Sequence, residues 1–270
     1  MANEYMSGFS IEGLVVPTKA ATIYTAQEQS LFLSGVLIPQ IMVGAGSQSA
    51  QVPKLSAVTA TTYSDDTANA DVAASPITDS TATINVDIFA ARTVLRDAGG
   101  IDPNEVGRVL GNSVASAFDT AVMAAMAADL TASTSDSDPI TISAIWDAVA
   151  QIRGAGEMGQ LYGVVNTASA AVLMKEIGAA AFAGGDYQTE ALRNGFVGSL
   201  AGVQIFQSAL VTAAHNGFIW GGDACRVAMQ KNVDIEVQRR AAAVGNDIVA
   251  SLHAGVGVVD AARGVQLINV

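Results

Sequence analysis

The sequence predicts an α+β chain organised around one long helix, and three observations carry that expectation. A capped amphipathic stretch begins at Asp102-Pro103-Asn104-Glu105 and runs to Asp129. A long, weakly hydrophobic hairpin over residues 51–90 precedes it. From Ile140 onward, short helix and strand segments mix irregularly, and the chain closes as strand.

The helix has the clearest local signal. Asp102 is an acid at the N-cap, Pro103 occupies the first helical position and Glu105 the third. Behind them Val106, Val109, Leu110, Ser113, Ala117, Phe118, Ala121, Val122, Ala125 and Met126 recur at three- and four-residue steps, which predicts one apolar stripe. Val106, Leu110, Phe118, Val122 and Met126 are its candidate core residues, whereas Arg108, Asn112, Ser116, Asp119 and Thr120 fall mostly off the stripe. At 1.5 Å per residue the helix is about 40 Å long.

Upstream, residues 1–50 read as an extended arm of short apolar clusters separated by Gly, Pro, Thr and Ser, with one short helix over 25–35 capped by Thr25 and carrying Glu28 at a capping-box spacing. In the hairpin, QVPKLSAV and ATINVDIFA alternate β-branched and polar residues as strands do. The connection TATTYSDDTANADVAASPITDS has few large apolar residues. Between Thr59 and Phe89 there are five aspartates and no basic residue. Such a segment cannot bury a core of its own, and a connection this long is functional or disordered. An element that becomes ordered on a neighbour and a mobile surface loop both fit its composition.

Downstream, TASTSDSDP reads as the loop that ends the long helix. A helix is expected over 143–153, a strand over 161–166, a helix from Thr167 to 177 and a loop at 183–188. Strands are expected at 203–206, 217–220 and 233–238, and helix or strand at 244–254. GVGVVD and GVQLINV then form two strands about a turn at 262–264.

Composition removes several function classes. Half of the 270 residues are apolar and only 14% are charged, which excludes a disordered chain. Cys225 is the single cysteine, which excludes a disulfide scaffold. Thirteen basic residues, four of them lysine, stand against 25 acidic ones for a net charge of −12, a poor balance for gripping phosphates. Mean hydropathy is high, at +0.38. The most apolar uncharged run, 31–46, is short and interrupted by Pro39 and Gln40, so no membrane span is expected. The first twelve residues carry Glu4 and Glu12 and no basic residue, so no secretory signal is expected. The small apolar residues are accommodated either by contact with other subunits or by a large Ala-rich core.

No catalytic constellation stands out. His215 and His253 have no acid at metal-ligand spacing, and Cys225 has no local basic partner. The stretches Gly154-Ala155-Gly156 and Gly195-Phe196-Val197-Gly198 lack the Lys-Ser/Thr of a phosphate loop. Asp65-Asp66 and Asp136/Asp138 read as solvated turn acids, and Arg239-Arg240 as a strand pair pointing to opposite faces. The expectation is a protein that is not an enzyme and has no cofactor or metal.

The order of elements and the C-terminal third resemble the major capsid proteins of tailed bacteriophages, a fold shared with encapsulins and the floor domains of herpesvirus capsids. The residues that carry the resemblance are Gly198-Ser199-Leu200-Ala201-Gly202-Val203 leading into a strand, then Gln207-Ser208, then the apolar strand 218–220. An Ala-rich element at 223–230, the strand Asp234-Ile235-Glu236-Val237-Gln238-Arg239-Arg240 and the closing Gly264-Val265-Gln266-Leu267-Ile268 complete it. The resemblance implies an N-terminal arm (1–50), an extended loop or E-loop (51–90) and a P-domain with the long spine helix (91–144, helix about 103–129). An α/β A-domain (145–245) and a return to the P-domain (246–270) follow.

The resemblance further implies a structural subunit of an icosahedral shell. It would self-assemble as pentamers and hexamers and enclose double-stranded DNA without binding it specifically. It implies made-in-cytoplasm, virion-located protein, with portal and decoration proteins as further partners. Because the arm begins almost at once, any scaffolding protein is expected to be separate. Pro53, Lys54, Tyr63, Asp65, Asp66 and Asp71 are the expected subunit-interface residues. An encapsulin-type nanocompartment shell and an α/β enzyme with an unrecognised site are the alternatives.

Overall fold

The computed structural model describes residues 11–56, 58, 60, 74–96, 102–136, 140–180, 196–211 and 214–269. The long helix, α2, spans Pro103–Asp129. The Asp102 carboxylate accepts the Asn104 N–H at 3.0 Å, and Leu130 leaves the helix in extended geometry. Leu110, Val114, Phe118, Val122, Met123 and Met126 are buried, and Val106 is partly buried. The stripe predicted from the sequence is too wide. Val109, Ser113 and Ala117 are exposed, while Gly107, Gly111, Ala115 and Asp119 are buried. The reason is a second helix lying on that line of residues.

That helix, α1, spans Ile11–Gln29, where the sequence predicted an extended arm and a short helix over 25–35. Thr25 therefore lies within the helix rather than at its start, and residues 31–38 form bends and a turn. α1 runs parallel to α2 at a constant offset. A Cβ placed on Gly107 would lie 2.6 Å from the Thr18 carbonyl oxygen, and one on Gly111 would lie 2.6 Å from that of Thr22. The Thr22 hydroxyl donates to the Gly107 carbonyl at 3.0 Å. α1 also touches the central sheet, where Lys19 Nζ pairs with Asp234 at 2.5 Å. With partners on both sides it needs no single apolar stripe, and Thr18, Thr22 and Ala26 are all fully buried.

Where α1 ends, the Ser30 hydroxyl donates to buried Asp119 at 2.6 Å and the Leu31 N–H donates at 3.0 Å. Burial pushes the Asp119 carboxyl up to about 6, against the hydrogen bonds, which favour the charged form. A native group that holds its proton more tightly than the unfolded chain loses stability as pH rises from about 4 to about 6. The difference of about two units amounts to about 3 kcal/mol. Asp234, held at about 2 chiefly by Lys19, acts in the opposite direction only at lower pH. Urea unfolding of the unassembled subunit at pH 5 and pH 7 is expected to show greater stability at pH 5. Asp119→Asn is expected to abolish that difference.

The central four-stranded sheet has the order β1 (Gln40–Met42), β10 (Cys225–Arg240), β11 (Gly245–Val258), β4 (Asp87–Arg96). β1 is parallel to β10 and the other pairs are antiparallel. Its inner residues Phe89, Ile248, Ala250, Leu252, Ile235 and Val227 pack in the core shared with α2, with Phe89 and Phe118 edge to face at 5.7 Å. The Ala-rich element at 223–230 is mostly strand, the first part of β10.

A six-stranded sheet has the order β5 (Ala132–Asp136), β12 (Gly264–Asn269), β9 (His215–Gly221), β6 (Leu161–Val165), β8 (Val203–Gln207), β7 (Phe196–Leu200). It separates two cores. On β9, Phe218 and Trp220 point into the α2 core, while Ile219 points toward α3 (Ile142–Gly154) and α4 (Thr167–Ala180). This is the two-residue period of a strand buried on both faces. Trp220 Nε1 donates to the Leu37 carbonyl at 3.1 Å, docking the segment after α1.

Three local expectations change. The stretch 131–139 was expected as loop, but Ala132–Asp136 pairs in parallel with β12 as an edge strand built of Ser and Thr. The two closing strands do not pair with each other, since β11 and β12 belong to different sheets. α4 is capped by Asn166, whose side chain accepts the Ser169 N–H at 2.7 Å, rather than by Thr167. The loop expected at 183–188 lies outside the described residues.

Candidate assembly surface

The hairpin consists of β2 (Ser49–Leu55) and β3 (Asp79–Asn85), paired antiparallel as a separate two-stranded sheet. The stretch 82–90 predicted as one strand is divided at Val86, where the chain passes from the hairpin into β4 of the central sheet. The passage is tight. A Cβ on Gly255 would lie 1.8 Å from the Asn85 carbonyl oxygen, and one on Gly257 would lie 2.8 Å from Ile84 Cγ1. Only glycine lets β11 approach the root this closely. There Ile84, Ala50 and Ala228 form a small buried cluster, edged by Val43, Val52 and Val86.

Beyond the root the hairpin leaves the body. Leu55, Val58 and Ile77 are 66%, 50% and 62% exposed. Pro53 sits opposite Thr81 in the ladder, and a proline is tolerated on a strand with no further partner. Lys54 turns back to the body, with Nζ 2.7 Å from Asp260. Tyr63, Asp65, Asp66 and Asp71 lie outside the described residues, as does Asp138.

Asp260 belongs to a charged cluster at the meeting point of the three sheets. Its other oxygen takes Arg263 Nε at 3.2 Å. Arg263 Nη1 also reaches Glu157 and Asp223, each at 3.0 Å. Asp223 pairs with Arg226 at 2.6 Å, and that hydrogen bond is the main cause holding its carboxyl below the usual carboxylate range. Glu157, buried, accepts the Gly159 N–H at 2.8 Å as well. Three cations and three carboxylates thus alternate without net charge. None of these pairings was read from the sequence, because the members are spread from residue 54 to residue 263.

The residues weighed for chemistry are occupied structurally. His215 hydrogen-bonds Gln266 at 3.0 Å and stacks on Phe218, and Gln266 Nε2 donates to the Ala127 carbonyl at 3.0 Å at the end of α2. His253 bonds Gln230 at 3.2 Å. Cys225 is buried, which pushes its thiol up to about 12. A thiol held protonated this way is no nucleophile at neutral pH. Gly154 ends α3, and Gly198 sits at a bulge in β7. Arg239 and Arg240 stand opposite Asn246 and Gly245. Among the described residues, no group of three His, Cys, Asp or Glu side chains could hold a metal ion. α2 from Asn104 is long and apolar enough to cross a membrane by length and composition, but half of its most apolar window is buried inside the protein.

No protein-family profile matches the sequence, and no curated protein does. Solved structures match across most of the chain. The capsid of the cyanophage P-SCSP1u superposes with a TM-score of 0.65 at 17% identity, covering 87% of this chain and 86% of that one. The capsid of Ralstonia phage GP4 gives 0.66 at 12% identity, covering 90% and 92%. A virus-like particle from Pyrococcus furiosus gives 0.63 at 11% identity, covering 94% and 98%. The α+β chain therefore has the fold of tailed-phage capsid proteins, shared with a virus-like particle protein.

Proposed function

We propose that this chain is a structural, non-enzymatic subunit of a closed icosahedral viral shell, assembling with copies of itself as pentamers and hexamers around double-stranded DNA. The observation that carries the reading is the hairpin β2–β3, which leaves the body with exposed Leu55, Val58 and Ile77 and no core of its own. An element of that kind gains order and burial only against another chain. The likeness to phage capsid structures over about nine-tenths of the chain supports the same reading.

In the proposed subdomain assignment, residues 1–50 are the arm, now with α1 in it, and 51–90 the E-loop. Residues 91–144, with α2, are the P-domain, and the A-domain begins at 145. Strand pairing favours ending the A-domain near 224 rather than 245, because β10 belongs with β4 and β11 over α2. Only β11 of the last segment then returns to the P-domain, since β12 pairs with β9 of the six-stranded sheet. Pro53, Lys54, Tyr63, Asp65, Asp66 and Asp71 remain the proposed interface. With a net charge of −12 the shell confines DNA rather than gripping it. Portal, decoration and scaffolding proteins are the partners such a shell would use.

The test is electron microscopy of purified protein beside a deletion of residues 61–75. The intact chain is expected to form closed particles. The deletion is expected to keep the circular dichroism of the folded subunit and to sediment as small species only. Normal particles from the deletion would show that residues 61–75 are dispensable for assembly. Absence of large particles from the intact chain, under every assembly condition tried, would refute the shell reading. The Pyrococcus furiosus likeness favours a second reading, an encapsulin-type compartment. Particles released from the native source with protein cargo in place of DNA would establish it.

A further inference from the structure

We infer that the Lys54–Asp260 pair is a latch that sets the angle of the hairpin to the body before subunits meet; its use in assembly rests on the shell reading above. The hairpin is attached at two levels. The first is the root, where Ile84 and Ala50 pack on Ala228 and the backbone of Asn85 presses on Gly255. A ribbon held at one point can pivot about it. The second level is Lys54, four residues further along β2 than Ala50, or roughly 13 Å at the rise of a strand. Among the described residues, Lys54 is the outermost hairpin residue whose side chain bonds to the body. Two separated attachments fix a direction where one does not.

The acceptor is built to stay in place. Asp260 caps the turn Ala261–Arg263 by accepting the Ala262 N–H at 3.3 Å. Its backbone N–H and that of Val259 both donate to the Ala224 carbonyl, at 3.1 and 2.8 Å. Its second oxygen is held by Arg263, which is itself fixed by Glu157 and Asp223. The carboxylate is therefore oriented by groups of the body alone, before Lys54 arrives. The Lys54 side chain is 44% exposed and that of Asp260 13%, so the latch lies at the solvent-accessible edge of the cluster. An exposed pair of this kind biases a two-state equilibrium by up to about fivefold. That is enough to favour one hairpin angle and weak enough for a neighbouring subunit to override.

The test places spin labels at Ile77→Cys on the hairpin and Trp146→Cys on α3, both exposed positions. Cys225 is buried, so it does not compete for the label. Pulsed electron resonance on the folded, unassembled subunit reads the distance distribution. Lys54 and Lys54→Arg are expected to give one narrow distribution. Lys54→Ala is expected to broaden it, lowering the ratio of latched to unlatched subunits by up to about fivefold, and Lys54→Glu, facing Asp260 with like charge, to broaden it further. Identical distributions across the series would overturn the latch. Unlabelled variants are scored separately for particles. A wild-type chain that forms no shells but shows the graded distances overturns the shell reading and upholds the latch. Graded distances with shells of unchanged yield and size in Lys54→Glu overturn the role of the latch in assembly.

Discussion

Phe118→Asp is expected to leave the chain unfolded or insoluble. Phe118 is fully buried and meets Phe89 of β4 edge to face, so it joins α2 to the central sheet at the middle of the core. Removing the ring costs about 3–5 kcal/mol from lost packing. A carboxylate in its place has no cation within the apolar cluster around it, and burying it costs several kcal/mol more. Together these approach or exceed the roughly 5–15 kcal/mol that holds a typical domain folded. Ala117→Asp supplies the control, because Ala117 is exposed on α2 one residue away. In the unassembled subunit it should cost only about 0.5 kcal/mol, the helix-propensity difference between the two residues. Circular dichroism and urea titration of both variants decide the matter. A folded Phe118→Asp beside an unfolded Ala117→Asp would mean that the buried face of α2 is assigned to the wrong side.

That comparison marks where the sequence is legible. The start of α2 was readable to the residue, because Asp102, Pro103 and Glu105 act through local geometry that no distant part of the chain can override. The strands β6, β8 and β9 were readable because apolar runs bounded by glycine and polar turns need no partner to announce themselves. The phase of α2 was blurred because it is buried on two sides, against the sheet and against α1. Counting every apolar or small residue at three- and four-residue steps then drew in Val109, Ser113 and Ala117, which face out. The signal that marks the second face is the pair Gly107 and Gly111, four residues apart in the middle of a helix, where glycine is otherwise costly.

α1 was missed for the complementary reason. Its buried residues include Thr18 and Thr22, which a hydropathy pattern counts as surface, and Pro17 lies within the helix. β5 was missed because Ala-Ser-Thr-Ser-Asp has no strand pattern of its own and is made a strand by its neighbour β12. The charged cluster about Arg263 was beyond reach, since its members come close only when three sheets meet. The hairpin was legible as an element but not in its attachment. The composition of residues 51–90 shows that it lacks a core, yet only the fold reveals that Lys54, one of the expected interface residues, also bonds Asp260 of its own chain.

Replacing Gly107 and Gly111 with alanine is expected to destabilise the subunit by about 2–6 kcal/mol, against the usual sign of such a change. In an ordinary helix interior, Gly→Ala stabilises by about 0.5–1 kcal/mol, because alanine loses less backbone freedom on folding. Here the added carbons meet α1. At Gly107 the Cβ would lie 2.6 Å from the Thr18 carbonyl oxygen and 2.8 Å from Ala21 Cβ. At Gly111 it would lie 2.6 Å from the Thr22 carbonyl oxygen and 3.1 Å from Thr25 Cβ. The obstructing oxygens are backbone, so no side-chain rotation relieves them and α1 must move as a body. Overpacking of this kind costs about 1–3 kcal/mol per site. Moving α1 away also breaks the Thr22 bond to Gly107 and draws Ser30 from Asp119, which lies on the same line of α2 two turns further on. The two losses outweigh the propensity gain. The urea midpoint of the double variant should fall, and amide exchange should rise first in residues 18–30, while β9 and β12 stay protected longer. A double variant as stable as the parent, or more so, would show that the two helices are not in contact along the glycine line.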